Sequence, residues 1–496
     1  MTSPLRKLLS QSAIYGTSSI IGRFLNYFLT PLYTRIMIPS DYGEVTELYS
    51  YMAFFFVVFT FGMETTYFRY SQTEDEEKVY SNCSSAVILI NAIFLPFLLF
   101  ISLFFDGNLG YENRSQLLLL TIAIIFSDVF LAIPFARLRK LEKAKQFAWI
   151  KLGNIGINIG LNLILLMFLP FFFEWIQRPA WKSYIIENSI IIILVSNLLA
   201  NVFSIALLSK QVRSIKLGID KKLFKTMFVY ALPLIFIGIA GNINEVFSRV
   251  AMKHLIPDLS VAKEQLGIFG ANYKMAILIN LFIQTFRYAA EPFFFDQNKN
   301  NNSRDIYAIV FKYFVWFCLF IFLFITLFLD YFIYFIGSEF RSGVGVVPIL
   351  VAGNIFLGIV YNLSIWYKLI NKTLYGAYIA LVGSIITVVG NIIFVPYYGY
   401  YGAAWCTFAC YFVMAVISYF AGQKHFKVNY PLRTIGIYFG ISFLLFFLKF
   451  YVIHLHGILN FFVGLIFLSI FIIYFVLEDS KLRMLIFKKH GNKNSK

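Results

Sequence analysis

The sequence predicts an all-α polytopic membrane protein: about fourteen transmembrane helices, arranged as two six-helix lobes that are parallel repeats, plus two extra helices at the C-terminus. Three observations carry this reading. Of 496 residues, 59% are apolar and 14% charged, against roughly 45 to 50% and 25% in soluble proteins. Fourteen apolar stretches follow one another, each close to the ~20 residues that cross a hydrocarbon core of ~30 Å. The connections between them are too short to fold as domains. That excludes a receptor ectodomain, a nucleotide-binding cassette and a soluble catalytic module.

The stretches must be helices, because open strands leave backbone groups unsatisfied in lipid. Span 1 (12–36) follows a tail bearing Arg6 and Lys7 and is too long and too polar for a signal-peptide core, so it reads as a retained helix. Its polar residues Ser19, Arg23, Asn26, Thr30 and Tyr33 recur in steps of three or four and share one helical face. Span 2 (45–68) carries Glu47 and Glu64, with Arg69 just beyond. Spans 3 (79–105), 4 (115–136), 5 (147–172) and 6 (187–208) are largely apolar. They are marked by Asp128 in span 4 and by the run Gly153 to Asn162 in span 5, whose small and amide residues suit close helix packing.

The polar pattern then returns. Span 7 (226–248) carries Glu245 with Arg249 beyond, and span 8 (267–295) carries a second stripe of Asn280, Gln284, Arg287 and Glu291, with Lys274 lying off it. Spans 9 (306–336), 10 (344–367), 11 (374–397) and 12 (401–422) are again mostly apolar. Spans 13 (434–453) and 14 (457–477) precede a basic tail. The expected division is an N-terminal lobe at 1–210, a C-terminal lobe at 211–425 and an appendage at 426–496.

The net charge of +17 suggests nucleic acid only in a soluble protein; here the basic residues sit between spans and report topology. On this span assignment 28 Lys and Arg fall on the side of the N-terminus and 9 on the other, Arg35 and Lys449 at the ends of spans 1 and 13 being counted with the latter and the other five lying within spans, which places both termini in the cytoplasm. Residues 138–149 align without gaps on 367–378, and the end of span 1 at Arg35 matches the end of span 7 at Arg249. Repeats of six spans enter the membrane in the same sense, so their axis runs along the membrane normal and a cleft lies between them. Cys83, Cys318, Cys406 and Cys410 all lie in apolar runs and read as small hydrophobes. No phosphate loop, nucleophile elbow or metal-ligand cluster is found, so no cofactor, metal or catalytic residue is expected.

Ionisable side chains within spans cost roughly 2.5 to 3.5 kcal/mol each at the membrane centre. Here they concentrate in spans 1, 2, 7 and 8, the symmetry mates that open each repeat. That points to a polar lumen lined by Ser19, Asn26, Thr30, Asn280 and Gln284. Its cations would be Arg23, Lys274 and Arg287, with Arg35, Arg69 and Arg249 near its mouths, and such donors suit phosphate or carboxylate. Glu64, Asp128, Glu245 and Glu291 are the candidate coupling carboxylates. An internal salt-bridge network among these acids and cations is the structural alternative.

At these residues the chain resembles the polysaccharide-transport (Wzx-type oligosaccharide flippase) branch of the multidrug/oligosaccharidyl-lipid/polysaccharide exporter superfamily. The resemblance runs over residues 1 to about 425. It rests on Tyr15-Gly16 through Arg23 to Thr30-Pro-Leu-Tyr-Thr-Arg-Ile36, on Pro39-Ser-Asp-Tyr-Gly43, on Gly267-Ile-Phe-Gly-Ala-Asn-Tyr-Lys274, and on Asn391 followed by Pro396 to Ala404. It implies a V-shaped transporter of the bacterial cytoplasmic membrane whose helices 1, 2, 7 and 8 line a cationic cavity. The implied substrate is an undecaprenyl-pyrophosphate-linked oligosaccharide used for O-antigen, capsule or exopolysaccharide. Polysaccharide-assembly proteins are the implied partners, and the coupling ion, H+ or Na+, stays open. The rivals are an integral-membrane polymerase or glycosyltransferase and a cation-coupled drug exporter of the same fold.

Overall fold

The computed structural model describes residues 20–22, 24–111, 114–297, 303–370, 372–453, 455 and 457–479. The chain is helical from end to end of this range. After helical residues 20–22 and 24–27, α1 continues as Leu29–Ile36. Then come α2 (Pro39–Tyr70), α3 (Glu76–Phe104), α4 (Ser115–Lys140), α5 (Ala144–Trp175), α6 (Ser189–Leu207) and α7 (Lys221–Leu255). These are followed by α8 (Leu259–Gln297), α9 (Ser303–Leu327) and α10 (Val346–Leu369). The next helical run, Leu374–His425, has 52 residues. At 1.5 Å per residue it would be roughly 78 Å long, more than twice the hydrocarbon thickness. It does not run straight: Gly399 adopts φ 54°, ψ −132° and separates α11 (374–398) from α12 (400–425). A side chain at Gly399 would collide with the Gln265 carboxamide, whose Oε1 accepts from the Tyr400 amide at 3.2 Å. α13 (Leu432–Val452) and α14 (Gly457–Glu478) complete the bundle.

Among the described residues, twelve helices are long and apolar enough to cross a membrane when Leu374–His425 is taken as one. Division at Gly399 and inclusion of α1 make this compatible with the fourteen expected. The helices overrun the apolar stretches that mark them, because polar end turns extend past the lipid: α2 starts at Pro39, a good first helical residue, six positions ahead of the expected edge. Asp75 caps α3 by accepting from the Lys78 amide, and Asp220 caps α7 by accepting from those of Lys222 and Leu223. Within α2 the helix breaks at Phe61 and Gly62, both left-handed, between Pro39–Thr60 and Met63–Tyr70.

Packing joins α5 to α6, α4 to α6, α7 to α11 and α12, and α10 to the same pair, while α2 lies along both α7 and α8. α14 is fastened at both ends, to α9 at one and to α13 and the segment after α9 at the other. Lys312 meets Asp479 at 3.0 Å, Tyr313 donates to Asp479 at 2.6 Å, and Trp316 stacks on Phe475 at 3.9 Å. At the opposite end Lys449 donates to the Asn460 carbonyl at 2.7 Å, and Asn460 donates to Asp330 at 2.5 Å. All four cysteines are buried and free. Large apolar side chains such as Phe97, Phe104, Phe236, Tyr397 and Ile466 are exposed, a surface that only lipid satisfies at this extent.

Candidate substrate cavity

A cavity of about 350 Å³ lies between α1, α2, α5 and α6 on one side and α7 and α8 on the other. α8 contributes Gly270, Tyr273, Lys274, Ile277, Asn280, Leu281 and Gln284. Their steps of three and four trace one continuous face of roughly 120°, at about 100° per residue. Lys274 therefore belongs to the lumen face. Its separation from the 280–284–287–291 stripe arises because the face toward the cavity is wider than a single row and Lys274 sits at its edge.

Glu245 and Arg249 enter one turn apart from α7. The Arg249 guanidinium sits 4.3 Å from the centroid of Tyr273, the geometry of a cation on an aromatic face. Among the described residues neither Arg249 nor Lys274 has a carboxylate within 4.0 Å, and Glu245 has no cation within that distance. Among the described residues the salt-bridge alternative therefore shows no ion pair at these three.

The opposite wall is uncharged among the described residues. It consists of Asn26, Thr30, Tyr33, Tyr42, Thr46, Tyr49, Asn158 and Asn197 with Leu29 and Val45. Its rings are held by hydrogen bonds: Tyr33 donates to Asn162 at 2.9 Å, Asn162 donates to Asn158 at 3.1 Å, and Asn197 donates to the Tyr49 hydroxyl at 3.1 Å. Asn158 lies in the run Gly153 to Asn162, which packs closely on α6 at one end, where Asn154 donates to Asn201 and Ser204 and a Cβ at Gly153 would meet Phe203 at 3.0 Å, while a Cβ at Gly156 or Gly160 would meet nothing within 4 Å. Amides one turn apart, Asn154, Asn158 and Asn162 in α5 and Asn197 and Asn201 in α6, are the sequence signal for this wall.

At one end of the cavity the two sides are locked together. Glu47 of α2 pairs with Lys253 of α7 at 2.7 Å, their side chains 0% and 1% exposed. Tyr51 and Tyr111 donate to the same carboxylate at 2.7 and 2.8 Å, and Lys253 also donates to the Leu109 carbonyl at 2.6 Å. Glu44 pairs with Arg114 at 2.7 Å and with Lys263 of α8 at 2.8 Å. Beside these pairs α2 and α8 cross at backbone distance. A Cβ at Gly43 would overlap the Lys263 carbonyl oxygen, and one at Gly267 that of Pro39. α1 joins the same end, where Thr34 accepts from the Gly337 amide at 3.0 Å.

A family model described as "Polysaccharide biosynthesis protein" matches residues 8–297. The chain belongs to this family. Among solved structures, this polysaccharide biosynthesis family member is similar to the lipid II flippase MurJ in an inward closed conformation, with 17% identity, 93% of this chain and 98% of that chain covered, and a TM-score of 0.70. It is similar also to a multidrug resistance MATE transporter of the MOP superfamily in an inward-facing conformation, at 13% identity, 81% and 94% coverage and a TM-score of 0.64. An outward-facing MATE structure gives 14% identity, 84% and 95% coverage and a TM-score of 0.55. No curated protein sequence matches the chain significantly. The protein is thus a multi-pass membrane protein with the fold of the MOP exporters.

The structure of this family member gathers Asn26, Thr30, Glu245, Arg249, Lys274, Asn280 and Gln284 in the cavity and sends other candidates elsewhere. Arg287 lines a separate small cavity of α8 and α10, 5.0 Å from the Tyr361 ring centroid, because its position on the helix has rotated past the lumen face. Arg35 lies outside the central cavity, where it donates to the Pro31 and Tyr334 carbonyls at 2.8 and 2.9 Å and borders an apolar groove between α1 and α5. Arg69 is exposed near the far end of α2 and lines none of these cavities. Glu64 is ion-paired with Arg139 of α4. Asp128 accepts from Asn201 at 2.9 Å between α4 and α6, away from the lumen. Ser19, Arg23 and the Glu291 side chain lie outside the described residues.

Proposed function

We propose that the protein is a flippase that moves undecaprenyl-pyrophosphate-linked oligosaccharide from the cytoplasmic to the outer leaflet of the bacterial cytoplasmic membrane, supplying surface polysaccharide. The observation that carries this reading is the pair of cations Arg249 and Lys274, without carboxylate partners among the described residues, in a cavity at the seam between the two halves of the chain. Guanidinium and ammonium donors in a partly dry cavity suit a diphosphate, which one cation alone would leave undercompensated. The seam also lets a polyprenyl tail stay in the bilayer while the headgroup crosses.

The halves act as two lobes, residues 1–210 and 211–425, which rock about the cavity to give alternating access. With the termini cytoplasmic, as the 28 to 9 distribution of basic residues favours, the Glu47–Lys253 end is external. The arrangement is then closed toward the outside. The likeness to a flippase in an inward closed conformation and a higher TM-score to an inward-facing than to an outward-facing exporter agree with that orientation. The lumen has two cations against one carboxylate among its described residues, a balance that favours an anionic ligand over an organic cation.

Deletion of the gene tests the proposal. Lipid-linked oligosaccharide should accumulate in the cytoplasmic leaflet, inaccessible to an external glycan-oxidising reagent. Single repeats displayed on the outer leaflet would instead identify a polymerase, and unchanged glycan with lost resistance to cationic drugs would identify a drug exporter.

A further inference from the structure

We infer that the apolar groove between α1 and α5 is a binding site for an anionic phospholipid, distinct from the central cavity, with one acyl chain along the groove and the headgroup phosphate at Arg35. This goes beyond the proposed function and does not depend on it.

The groove exists because the two helices that border it cannot pack closely there. Pro170 of α5 has no amide proton, and its ring crowds the carbonyl one turn back. The turn before it, Ile164–Phe168, widens into a π-helix. Pro31 of α1 faces the same space from the other side. The result is a trough of about 530 Å³, larger than the central cavity of about 350 Å³. Leu32 and Ile36 of α1 and Leu163, Leu166 and Met167 of α5 line it, and Phe28, Met167 and Phe171 are exposed at its edges. An apolar trough facing lipid is filled by a hydrocarbon chain, because an empty one forfeits the contacts of every group along it.

The rim has a different chemistry. α5 has 32 residues, about 48 Å at 1.5 Å per residue, so its last turns rise out of a hydrocarbon core of ~30 Å. There the chain turns back through Gln177, in the left-handed region, into the short helix Pro179–Glu187. Trp175, Trp181 and Tyr184 are exposed on this hairpin. Such side chains settle at the level of the lipid headgroups. That puts Arg35, Glu174 and Lys182 of the groove lining at headgroup depth and the aliphatic lining below them. Among the described residues Arg35 gives two of its five donors to the Pro31 and Tyr334 carbonyls, which leaves three for a phosphate. Glu174 and Lys182 compensate each other at 2.8 Å, so the described rim carries the positive charge of Arg35. A headgroup with one negative charge matches it, whereas a zwitterionic one brings an ammonium beside Lys182.

The occupant is a phospholipid rather than the tail of the transported lipid because α1 stands between groove and cavity. At about 100° per residue, Leu29, Thr30 and Tyr33 lie on the side of α1 toward the cavity, while Phe28, Pro31, Leu32 and Arg35 lie on the opposite side, toward the groove. Behind the groove Tyr33 donates to Asn162 at 2.9 Å and ties α1 to α5. A diphosphate at Arg249 and Lys274 cannot lay its chain in the groove in this arrangement. On the orientation proposed above, the headgroup belongs to the outer leaflet.

The test places the full-length protein in nanodiscs that contain phosphatidylglycerol or phosphatidylethanolamine, each with a photoactivatable diazirine on one acyl chain, and maps the cross-linked peptides. Phosphatidylglycerol should label residues 28–36 and 163–171 above the other lipid-facing segments, and more than phosphatidylethanolamine does. Arg35→Gln should lower that labelling by about tenfold, to the level of phosphatidylethanolamine, the effect of losing hydrogen bonds to a charged group. Met167→Trp fills the trough from an exposed position that faces lipid, so it retains the fold and should lower labelling by both lipids on the order of tenfold. Labelling spread evenly over the lipid-facing helices, equal for the two lipids, or unchanged in Arg35→Gln overturns the inference and leaves ordinary boundary lipid. Undecaprenyl diphosphate that suppresses the phosphatidylglycerol labelling in the wild type and in Arg249→Gln/Lys274→Gln alike assigns the groove to the cargo and also overturns it.

Discussion

Replacement of Lys253 by methionine, which keeps the length and removes the charge, should release the locked end of the bundle. In the native arrangement the Glu47 carboxylate receives Lys253 at 2.7 Å and the Tyr51 and Tyr111 hydroxyls at 2.7 and 2.8 Å, with no solvent contact. Lys253→Met leaves the carboxylate with two neutral donors and no counter-charge. Removing one partner of a buried pair costs about 3 to 5 kcal/mol. Glu47 is on α2 and Lys253 on α7, so the pair joins the two halves and an opened state does not contain it. The cost therefore falls on the closed state alone, and even 3 kcal/mol shifts the equilibrium toward opening by on the order of 100-fold. Spin labels at Gly107 and Asp258, both exposed at this end, read the change as a distance distribution in double electron–electron resonance. The wild type should give one short distance and Lys253→Met a longer one. The double variant Glu47→Gln/Lys253→Met strands no charge and should return toward the short distance. Identical distributions for wild type and Lys253→Met would refute the assignment of this pair as the lock.

The backbone crossing predicts a second route to the same state: Gly267→Val collides with the Pro39 carbonyl, so the Gly107 to Asp258 distance should lengthen while the yield of folded protein stays near wild type. Reporter fusions at Gly218 and Gly107 should report the cytoplasm and the outside respectively; the same side for both would refute the helix count between them. Arg23→Lys should retain partial surface glycan and Arg23→Ala nearly none at normal abundance, since lysine keeps the charge and loses the fork of donors; normal glycan from Arg23→Ala would remove this residue from recognition. Finally, hydrogen bonds from Lys78 and then from the Leu223 amide lower the Asp220 carboxyl to about 2. A depressed carboxyl gives stability that is fully present above its ordinary value near 3.8 and is lost as pH falls toward 2. The difference in melting temperature between wild type and Asp220→Asn should thus stay constant from pH 8 to 5 and shrink below pH 4.

The helices were legible because lipid forces each apolar run of about 20 residues into one conformation. Their ends were not. Pro39 begins α2 well before the apolar run, and the break at Phe61 and Gly62 has no apolar signature. The two polar stripes meet in one cavity through Asn26, Thr30, Asn280 and Gln284, since period and sidedness are local properties of a helix. Which charges meet is a tertiary property. Glu64 carries the same residue type and sits in the same class of helix as Glu245, yet Arg139 arrives from α4 to neutralise it while no cation reaches Glu245 among the described residues. Nothing within α2 or α7 encodes that difference.

The same argument explains why the lock was missed although Glu47 had been noted. A carboxylate in a span has two outcomes, an internal partner or an aqueous cavity, and its partner here comes from a residue at the end of α7 that reads as part of a loop. Lys253 and Lys263 look like ordinary topogenic charges on the sparse side of the membrane, where only nine basic residues fall on the sequence assignment. Their burial against Glu47 and Glu44 shows that a basic residue on that side has a use other than orientation. Buried there, such charges need compensation, and compensation across the seam makes each such pair specific to one arrangement of the two halves. The lumen uses the opposite arrangement. Arg249 and Lys274 line the cavity without carboxylate partners among the described residues. On the proposed function, an anionic ligand supplies their counter-charge, so the closed end is satisfied from within the protein and the site by its cargo.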